Sequence, residues 1–271
     1  MLIIIGREAK NCSTDIFSGW ESSMPRDLII DSHVHLKHGD LQKTEYSAEA
    51  IVKIMDEAQI DKSVVFAMST TTSRSIDMAC RAVSKFEDRL IPYVYALPSY
   101  EKPVIEEIEN AISNLGFRGI KIHMGECTLE RYVTEPVLRL AGRLNVPCLI
   151  DCIGRYDLIE EMARAFPETK IIVAHMGKYL CEDESLMDRF IQIAKSYKNI
   201  FLDVSGVVIP RKIKEAVEIL GSSRIIFGTD GPKPEGAEFA RAEIAKIRRL
   251  NLNPEDERAV LGGTISRLLG I

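Results

Sequence analysis

The fold is decided by residues 117–175, which read FRGIKIHMGECTLERYVTEPVLRLAGRLNVPCLIDCIGRYDLIEEMARAFPETKIIVAH. Three short apolar runs rich in Ile and Val stand in this stretch: Phe117–Ile122, Pro147–Ile150 and Lys170–Ala174. Between them, Val137–Leu144 and Leu158–Phe166 carry the apolar spacing of amphipathic helices. Continuous apolar strands that alternate with helices are typical of a parallel sheet covered by those helices.

The same alternation continues on both sides of this stretch, at intervals of roughly 23–35 residues, the size of one strand–helix unit. Eight such units without a break in composition favour a closed barrel over an open, doubly wound sheet. No G-x-G-x-x-G follows the first strand, so a dinucleotide-binding sheet lacks its motif. We therefore predict an α/β protein, a (β/α)8 TIM barrel. Its other strand-like runs are Leu28–Ile30, Ser63–Ala67, Leu90–Ala96, Ile200–Asp203 and Arg224–Phe227.

The length of 271 residues suits a single barrel domain. We assign residues 27–271 to that domain and residues 1–26 to a short N-terminal extension or bottom cover. Near the C terminus, Asn253 can cap a helix and Pro254 suits its first turn. We expect this C-terminal helix to seal one side of the barrel.

Composition and charge restrict the partners. The formal net charge of −5 gives no indication of a basic surface that would bind nucleic acid or anionic lipid. No apolar run reaches the length of a membrane span. The six cysteines form no C-x-x-C pair and no secretory signal is visible, so we expect free thiols in a cytoplasmic protein. A small-molecule substrate is the expected partner, and a homo-oligomer is left open.

The histidines carry the chemical signal. Of five in the chain, four lie at or just past the C-terminal end of a strand-like run, where barrels of this kind carry their functional residues. In Asp31-Ser32-His33-Val34-His35 the two imidazoles face the same side of an extended segment, as a pair of metal ligands would. The alternative to a metal site is that both are surface histidines in a loop without a functional role. His175 and Asp230 follow two later strands, although Asp230 taken alone would be a turn residue.

Several short strings together carry a family resemblance: DSHVHL, GFRGIKIHM, VPCLIDCIG, IIVAHMG, FLDVSG, IIFGTDGP and LGGTISRLLGI. From about Asp31 to Ile271 the chain resembles the amidohydrolase-related (amidohydrolase 2 type) metal-dependent hydrolases, which are TIM barrels. That group includes hydrolases, lactonases, hydratases and non-oxidative decarboxylases.

The resemblance implies a role for individual residues. It makes His33 and His35 metal ligands, Asp230 a ligand and proton-handling carboxylate, and His175 a histidine that binds the metal or holds its water. The family pattern expects a histidine after the fifth strand, where this chain has Asp151. We expect Asp151 to be a ligand, and the alternative is that it is not one and that the site binds metal weakly or not at all.

The predicted cofactor is one divalent metal ion, zinc in the first place. A carboxylate in place of an imidazole makes Mn²⁺ or Mg²⁺ more competitive and lowers the charge of the site by one unit. Lys121 and His123 share a strand face that could point into the barrel mouth and bind substrate. Arg155 could clamp a substrate carboxylate, although such a residue is more often solvated.

We therefore predict an enzyme in which metal-activated water attacks the carbonyl of an amide, lactone or ester-like bond in a small anionic substrate. Asp230 and His175 are the expected catalytic residues. Two alternatives keep an enzymatic site: non-oxidative decarboxylation or hydration at the same metal, and metal-free lactone hydrolysis. A non-catalytic binding protein on a decayed barrel is the alternative from a different class.

Overall fold

The computed structural model describes residues 27–271. The predicted N-terminal extension, residues 1–26, lies outside the described residues. Eight parallel strands follow one another around a single sheet in chain order. They are β1 (Ile30–Lys37), β2 (Lys62–Ala67), β3 (Leu90–Tyr95), β4 (Gly119–His123), β5 (Cys148–Asp151), β6 (Ile171–Val173), β7 (Ile200–Asp203) and β8 (Ile225–Ile226).

The chain returns to β1 after β8 and so closes the ring. The backbone N–H of Ser32 donates to the carbonyl of Phe227 at 3.1 Å, and that of His35 donates to the carbonyl of Gly231 at 2.7 Å. A bridge between Val34 and Gly231 completes this contact, which we call the seam. The (β/α)8 TIM barrel predicted from the alternation of strands and helices is confirmed.

The structure differs from the sequence prediction in the length of the first strand. The predicted run ended at residue 30, whereas β1 begins there and continues to Lys37. All eight residues of β1 are buried, because one edge pairs with β2 and the other meets the chain beyond β8. His33 and His35 therefore lie within a strand and not in the loop after it.

Helices cover the outside of the barrel. Their apolar residues pack against one face of the strands, and side-chain oxygens of Ser47, Thr71 and Asp183 cap the helices that follow them. The helices of the eight strand–helix units are α1 (Ala48–Ala58), α2 (Thr72–Val83), α3 (Ile105–Asn114), α4 (Arg131–Arg143), α5 (Tyr156–Ala165), α6 (Glu184–Ser196), α7 (Pro210–Leu220) and α8 (Ala237–Arg248). No helix of the described residues is both long and apolar enough to cross a bilayer.

The C-terminal segment closes one end of the barrel. As expected, the Asn253 side chain accepts a hydrogen bond from the backbone of Asp256 at 2.9 Å and starts α9 (Pro254–Arg258). A π-helical turn leads into α10 (Thr264–Leu269). Ile265 and Leu269 of α10 join the apolar cluster inside the barrel, so the polar side chains are left to the opposite mouth.

Candidate metal centre and active site

Seven of the residues predicted from the sequence line one cavity of about 440 Å³ at the C-terminal ends of the strands. Two of these residues lie in β1 and two in β4. One is the last residue of β5, and the other two come after β6 and β8. The seven are His33, His35, Lys121, His123, Asp151, His175 and Asp230. Residues up to about 200 positions apart in the chain therefore share a single site.

Three of these side chains are close enough to hold one metal ion. His33, His175 and Asp230 each offer a ligand atom, these atoms lie within 4.8 Å of one another, and all three residues are buried. His33 Nε2 lies 3.3 Å from Asp230 Oδ1. Two imidazole nitrogens and a carboxylate oxygen are a donor set that suits zinc.

Both carboxylate oxygens of Asp230 have partners in the site. Its Oδ1 lies 2.8 Å from His35 Nε2, and its Oδ2 accepts from Lys233 Nζ at 2.8 Å. Burial raises the pKa of Asp230, but the hydrogen bond to His35 and the charges of the nearby histidines outweigh burial and hold that pKa well below its usual value. The other ring nitrogen of His35 has no hydrogen-bond partner within residues 27–271. Asp230 is therefore a carboxylate, able to accept a proton or bind a cation.

Asp151 bridges two imidazoles. Its Oδ2 lies 3.2 Å from His123 Nε2 and 3.3 Å from His175 Nε2. Burial raises the pKa of Asp151, but the contacts to both histidines and the charge of Lys121 outweigh it, so that pKa is lowered. Asp151 is thus in contact with His175, a member of the three-residue cluster.

Lys121 brings a buried ammonium group into this site. Its side chain is 0% exposed, and Nζ donates to His33 Nε2 at 3.2 Å. Burial lowers the pKa of Lys121, while the surrounding carboxylates of Asp151, Asp230 and Asp203 oppose that shift. The His33 nitrogen that could bind a metal is therefore the acceptor for a lysine in this arrangement.

The donor set fits a cation on hydrogen-bond grounds. His175 Nδ1 lies 3.0 Å from the carbonyl oxygen of Ser205, which only accepts, so the ring proton belongs on Nδ1. The Nε2 lone pair of a neutral His175 then faces the Asp151 carboxylate at 3.3 Å. Two lone pairs in contact need a proton or a cation between them. Burial lowers the pKa of His175, but the contact with Asp151 and the nearby carboxylates outweigh burial and raise that pKa, and a divalent ion would take the place of this proton.

The backbone is strained at two of the three cluster residues. His175 has φ of 58° and Asp230 has φ of 60°, in the left-handed region that non-glycine residues rarely adopt. Such conformations persist where the surrounding structure imposes them, and they cluster at functional sites. His175 stands two residues after the end of β6 and Asp230 four residues after the end of β8, and both line the cavity.

Arg155 lies apart from the other predicted site residues. Its guanidinium makes two hydrogen bonds with the carboxylate of Asp157, at 2.8 and 2.6 Å, and Arg155 is not among the residues that line the cavity. Asp157 stands two residues further on, in the first turn of α5, and its carboxylate pairs with the guanidinium through both oxygens. The role of Arg155 as a substrate clamp stays a prediction.

Sequence reasoning missed four residues in or beside the site. Asp203 and Ser205 stand at and just beyond the end of β7 and contact His33 and His175. Lys233 pairs with Asp230, and the ring of His38 stacks on that of His35 with centroids 4.3 Å apart. The available signal was polar residues two apart at a strand end, Asp203-Val204-Ser205, the same pattern that singled out His33 and His35.

A family model described as amidohydrolase matches residues 30–271. Among solved structures, an amidohydrolase from Burkholderia multivorans with bound zinc has 15% identity to this chain and a TM-score of 0.72, with 90% of this chain and 99% of that one covered. A probable 2-pyrone-4,6-dicarboxylic acid hydrolase from Acinetobacter baumannii with citric acid bound has 15% identity, a TM-score of 0.69 and the same coverage.

A 5-carboxyvanillate decarboxylase from Sphingomonas paucimobilis is similar to the same extent, with 13% identity, a TM-score of 0.70, and coverage of 90% of this chain and 99% of that one. At these identities the structural matches show a shared fold. No curated protein matches this chain in sequence. The fold is thus one that carries hydrolytic and decarboxylating chemistry in other proteins.

Proposed function

The chain belongs to the amidohydrolase family, and from that premise we propose that this enzyme is a metal-dependent hydrolase. It would add water to the carbonyl carbon of an amide, lactone or ester in a small anionic molecule. The observation that carries the proposal is the convergence of His33, His175 and Asp230 on one point of a cavity that a small molecule can enter.

The metal would be held by His33, His175 and Asp230, with His35 and Asp151 as the remaining predicted ligands. When bound, a divalent ion lowers the pKa of water and polarises a carbonyl group. Zinc suits the nitrogen-rich part of this set, and the oxygens of Asp151 and Asp230 make Mn²⁺ or Mg²⁺ alternatives.

Asp230 would handle the proton. Its low pKa keeps it a carboxylate, and His35 and Lys233 each contact one of its two oxygens. In the proposed reaction Asp230 accepts the proton from the attacking water and passes it to the leaving group. His175 would hold the water or stabilise negative charge that develops on the carbonyl oxygen.

Cationic side chains support an anionic substrate. Lys43, Lys121 and Lys233 line the cavity, where His123 is partly exposed, and the acidic residues of the lining are Asp40, Glu126, Asp151 and Asp230. Lys121 lies deeper, beside His33. We propose that Lys121 and His123 face the substrate and that Lys233 attracts its carboxylate.

The first test is the Asp230→Asn variant. We expect turnover of a substrate found by screening small carboxylated lactones, amides and esters to fall at least about 100-fold, because the amide cannot accept the proton. Circular dichroism and the melting temperature report whether the fold survives. Asp77→Asn, a change at an exposed aspartate of α2, is the matched control and should keep wild-type turnover. Wild-type kcat in Asp230→Asn would end this mechanism.

Two observations favour further candidates for the reaction. The pair of Lys233 and Asp230 places a carboxylate-binding group next to a proton-handling group, as decarboxylation or hydration at the same site would require. The contact of Lys121 Nζ with His33 Nε2 places a cation inside the donor set and favours metal-free lactone hydrolysis. Assays that compare CO₂ release with ring or amide opening distinguish decarboxylation from hydrolysis. Elemental analysis of protein purified without chelator tests the metal-free reaction, which stoichiometric metal would exclude.

A further inference from the structure

We propose that Ser205, supported by Asp203, fixes the imidazole protons of both His33 and His175 on Nδ1 and so presents both Nε2 lone pairs to the cavity. Ser205 lies just beyond β7, a strand that supplies no predicted ligand. It would be a positioning residue, acting on two histidines from different strands at once. The inference rests on the metal centre of the proposed function and adds what sets the tautomers of two of its histidine ligands.

The backbone of Ser205 sets the proton of His175. The Ser205 carbonyl oxygen lies 3.0 Å from His175 Nδ1, and the Ser205 hydroxyl oxygen lies 2.9 Å from the same nitrogen. A carbonyl oxygen only accepts, so Nδ1 must be the donor. The Nε2 nitrogen of a neutral His175 is then left with its lone pair, on the side where Asp151 and the cavity lie.

The hydroxyl of Ser205 sets the proton of His33. Ser205 Oγ lies 3.2 Å from His33 Nδ1 and also makes a short contact with Asp203 Oδ1. A carboxylate only accepts, so the hydroxyl donates its proton to Asp203 and its oxygen is free to accept from Nδ1 of His33. The hydrogen bond therefore runs from His33 through Ser205 to Asp203.

An independent contact gives the same assignment for His33. Lys121 Nζ lies 3.2 Å from His33 Nε2, and an ammonium group has donors only. Nε2 of His33 must therefore be the acceptor, and its proton must be on Nδ1. The contacts at the two ends of this ring agree although they come from β4 and from the residues after β7.

Asp203 is held rigidly enough to act as the anchor. Its side chain is 0% exposed, and Oδ1 accepts from the backbone N–H groups of His175 and Ser205 at 3.1 and 3.2 Å. Oδ2 accepts from Ser32 Oγ at 3.2 Å. Asp203 therefore ties the residues after β6 and β7 to β1, next to both histidines.

The tautomer can be measured in the metal-free protein. Long-range ¹H–¹⁵N correlation spectra of ¹⁵N-histidine-labelled enzyme distinguish Nδ1–H from Nε2–H, with resonances assigned by His33→Gln and His175→Gln variants. We expect Nδ1–H in both rings of the wild type. An Nε2–H proton on either neutral ring would overturn the proposal whatever the enzyme's activity.

The variant Ser205→Ala removes the hydroxyl and keeps the carbonyl. We expect His33 Nδ1–H to lose its hydrogen-bond acceptor, so that its resonance shifts and exchanges faster with water, while Lys121 still occupies Nε2 and His175 keeps Nδ1–H on the Ser205 carbonyl. Zinc affinity, measured by competition with a chelator, should fall about 10–100-fold. Ser205→Thr keeps a hydroxyl and should restore the wild-type spectrum. Ser63→Ala is the matched control, since Ser63 Oγ is buried without a hydrogen-bond partner in the described part of the chain.

The outcomes separate this inference from the proposed function. If the wild type binds no divalent ion while its rings carry Nδ1–H, the metal-dependent mechanism fails and the positioning role stands. If Ser205→Ala keeps the wild-type spectrum and the wild-type zinc affinity, the positioning role fails and the metal centre stands. If Ser205→Ala does not fold, the wild-type and Ser205→Thr spectra decide alone.

Discussion

Lys121 and a metal ion compete for the same lone pair of His33. The ammonium is buried and surrounded by Asp151, Asp203 and Asp230, so it compensates their charge when no ion is present. Removing one member of a buried charged group leaves its partners uncompensated, which commonly costs about 3–5 kcal/mol. Lys121 thus has a stabilising role that a bound ion could take over.

The variant Lys121→Met tests this at the level of the residue. We expect the melting temperature of the metal-free protein to fall and its increase on zinc addition to be larger than in the wild type, because the ion replaces the missing positive charge. Differential scanning calorimetry with and without zinc measures both quantities. Lys212→Met is the control, since Lys212 is also buried but pairs with half-exposed acids on the outside of the barrel. Equal zinc effects in Lys121→Met and in the wild type would contradict the prediction.

The residues that line the cavity were easier to predict from the sequence than the contacts they make there. His33, His35, His175 and Asp230 stand out because rare polar types follow apolar runs, and the fold brings strand ends together. Asp203 and Ser205 carry the same positional signal, but serine and aspartate are common after strands as turn residues. The partner of Arg155 was not predictable from its type, because the choice between a substrate and Asp157 depends on the backbone path of the loop.

At the scale of the element, strand position was predictable, and strand length was predicted for β7 but not for β1 or β8. Every predicted run overlaps an observed strand, because burial on both faces demands continuous apolar residues. β1 is longer than predicted because Ser32, His33 and His35 are polar and still buried. Their partners lie at the end of β7, just beyond β7 and after β8. β8 is only two residues long because the backbone after it is irregular. This irregular segment, up to Gly231, still makes backbone hydrogen bonds with β1.

Gly119 at the start of β4 shows how the strands pack inside the barrel. A Cβ placed there would lie 2.4 Å from the ring of Tyr93, which is buried in the interior cluster. We expect Gly119→Ala to lower the free energy of unfolding by about 1–3 kcal/mol, the usual cost of overpacking. Urea denaturation of the metal-free protein measures it.

Gly263 supplies the control for that substitution. It lies in the helical C-terminal segment, and its added Cβ would meet nothing closer than 3.4 Å. Gly263→Ala should therefore be neutral or stabilise by up to about 1 kcal/mol, since alanine favours a helix. If both variants lost the same stability, the close approach of Tyr93 to β4 would not be the cause.

At the scale of the whole molecule, the predicted metal ligands lie on both sides of the seam. His33 and His35 belong to β1, and Asp230 follows β8. The seam itself has two backbone hydrogen bonds and one bridge, whereas β1 pairs with β2 at five positions. Side-chain contacts across the seam, among them Thr229 Oγ1 to Asp31 at 2.6 Å, supplement this sparse backbone pairing.

A bound ion should therefore act as a cross-link that closes the ring. We expect zinc to slow hydrogen exchange of the seam amides of Ser32 and His35, because local opening of the seam would separate ligands on its two sides. At an ion concentration of 100 times Kd the stabilisation is about 2.7 kcal/mol, or about 100-fold in exchange rate, where opening abolishes binding. The amide of Ile120, which donates to Pro147 between β4 and β5, should change much less.

In Asp230→Asn the slowing should be largely lost. Exchange of Ser32 and His35 that is the same with and without zinc, in protein shown to bind the ion, would mean that the ion is held on one side of the seam only.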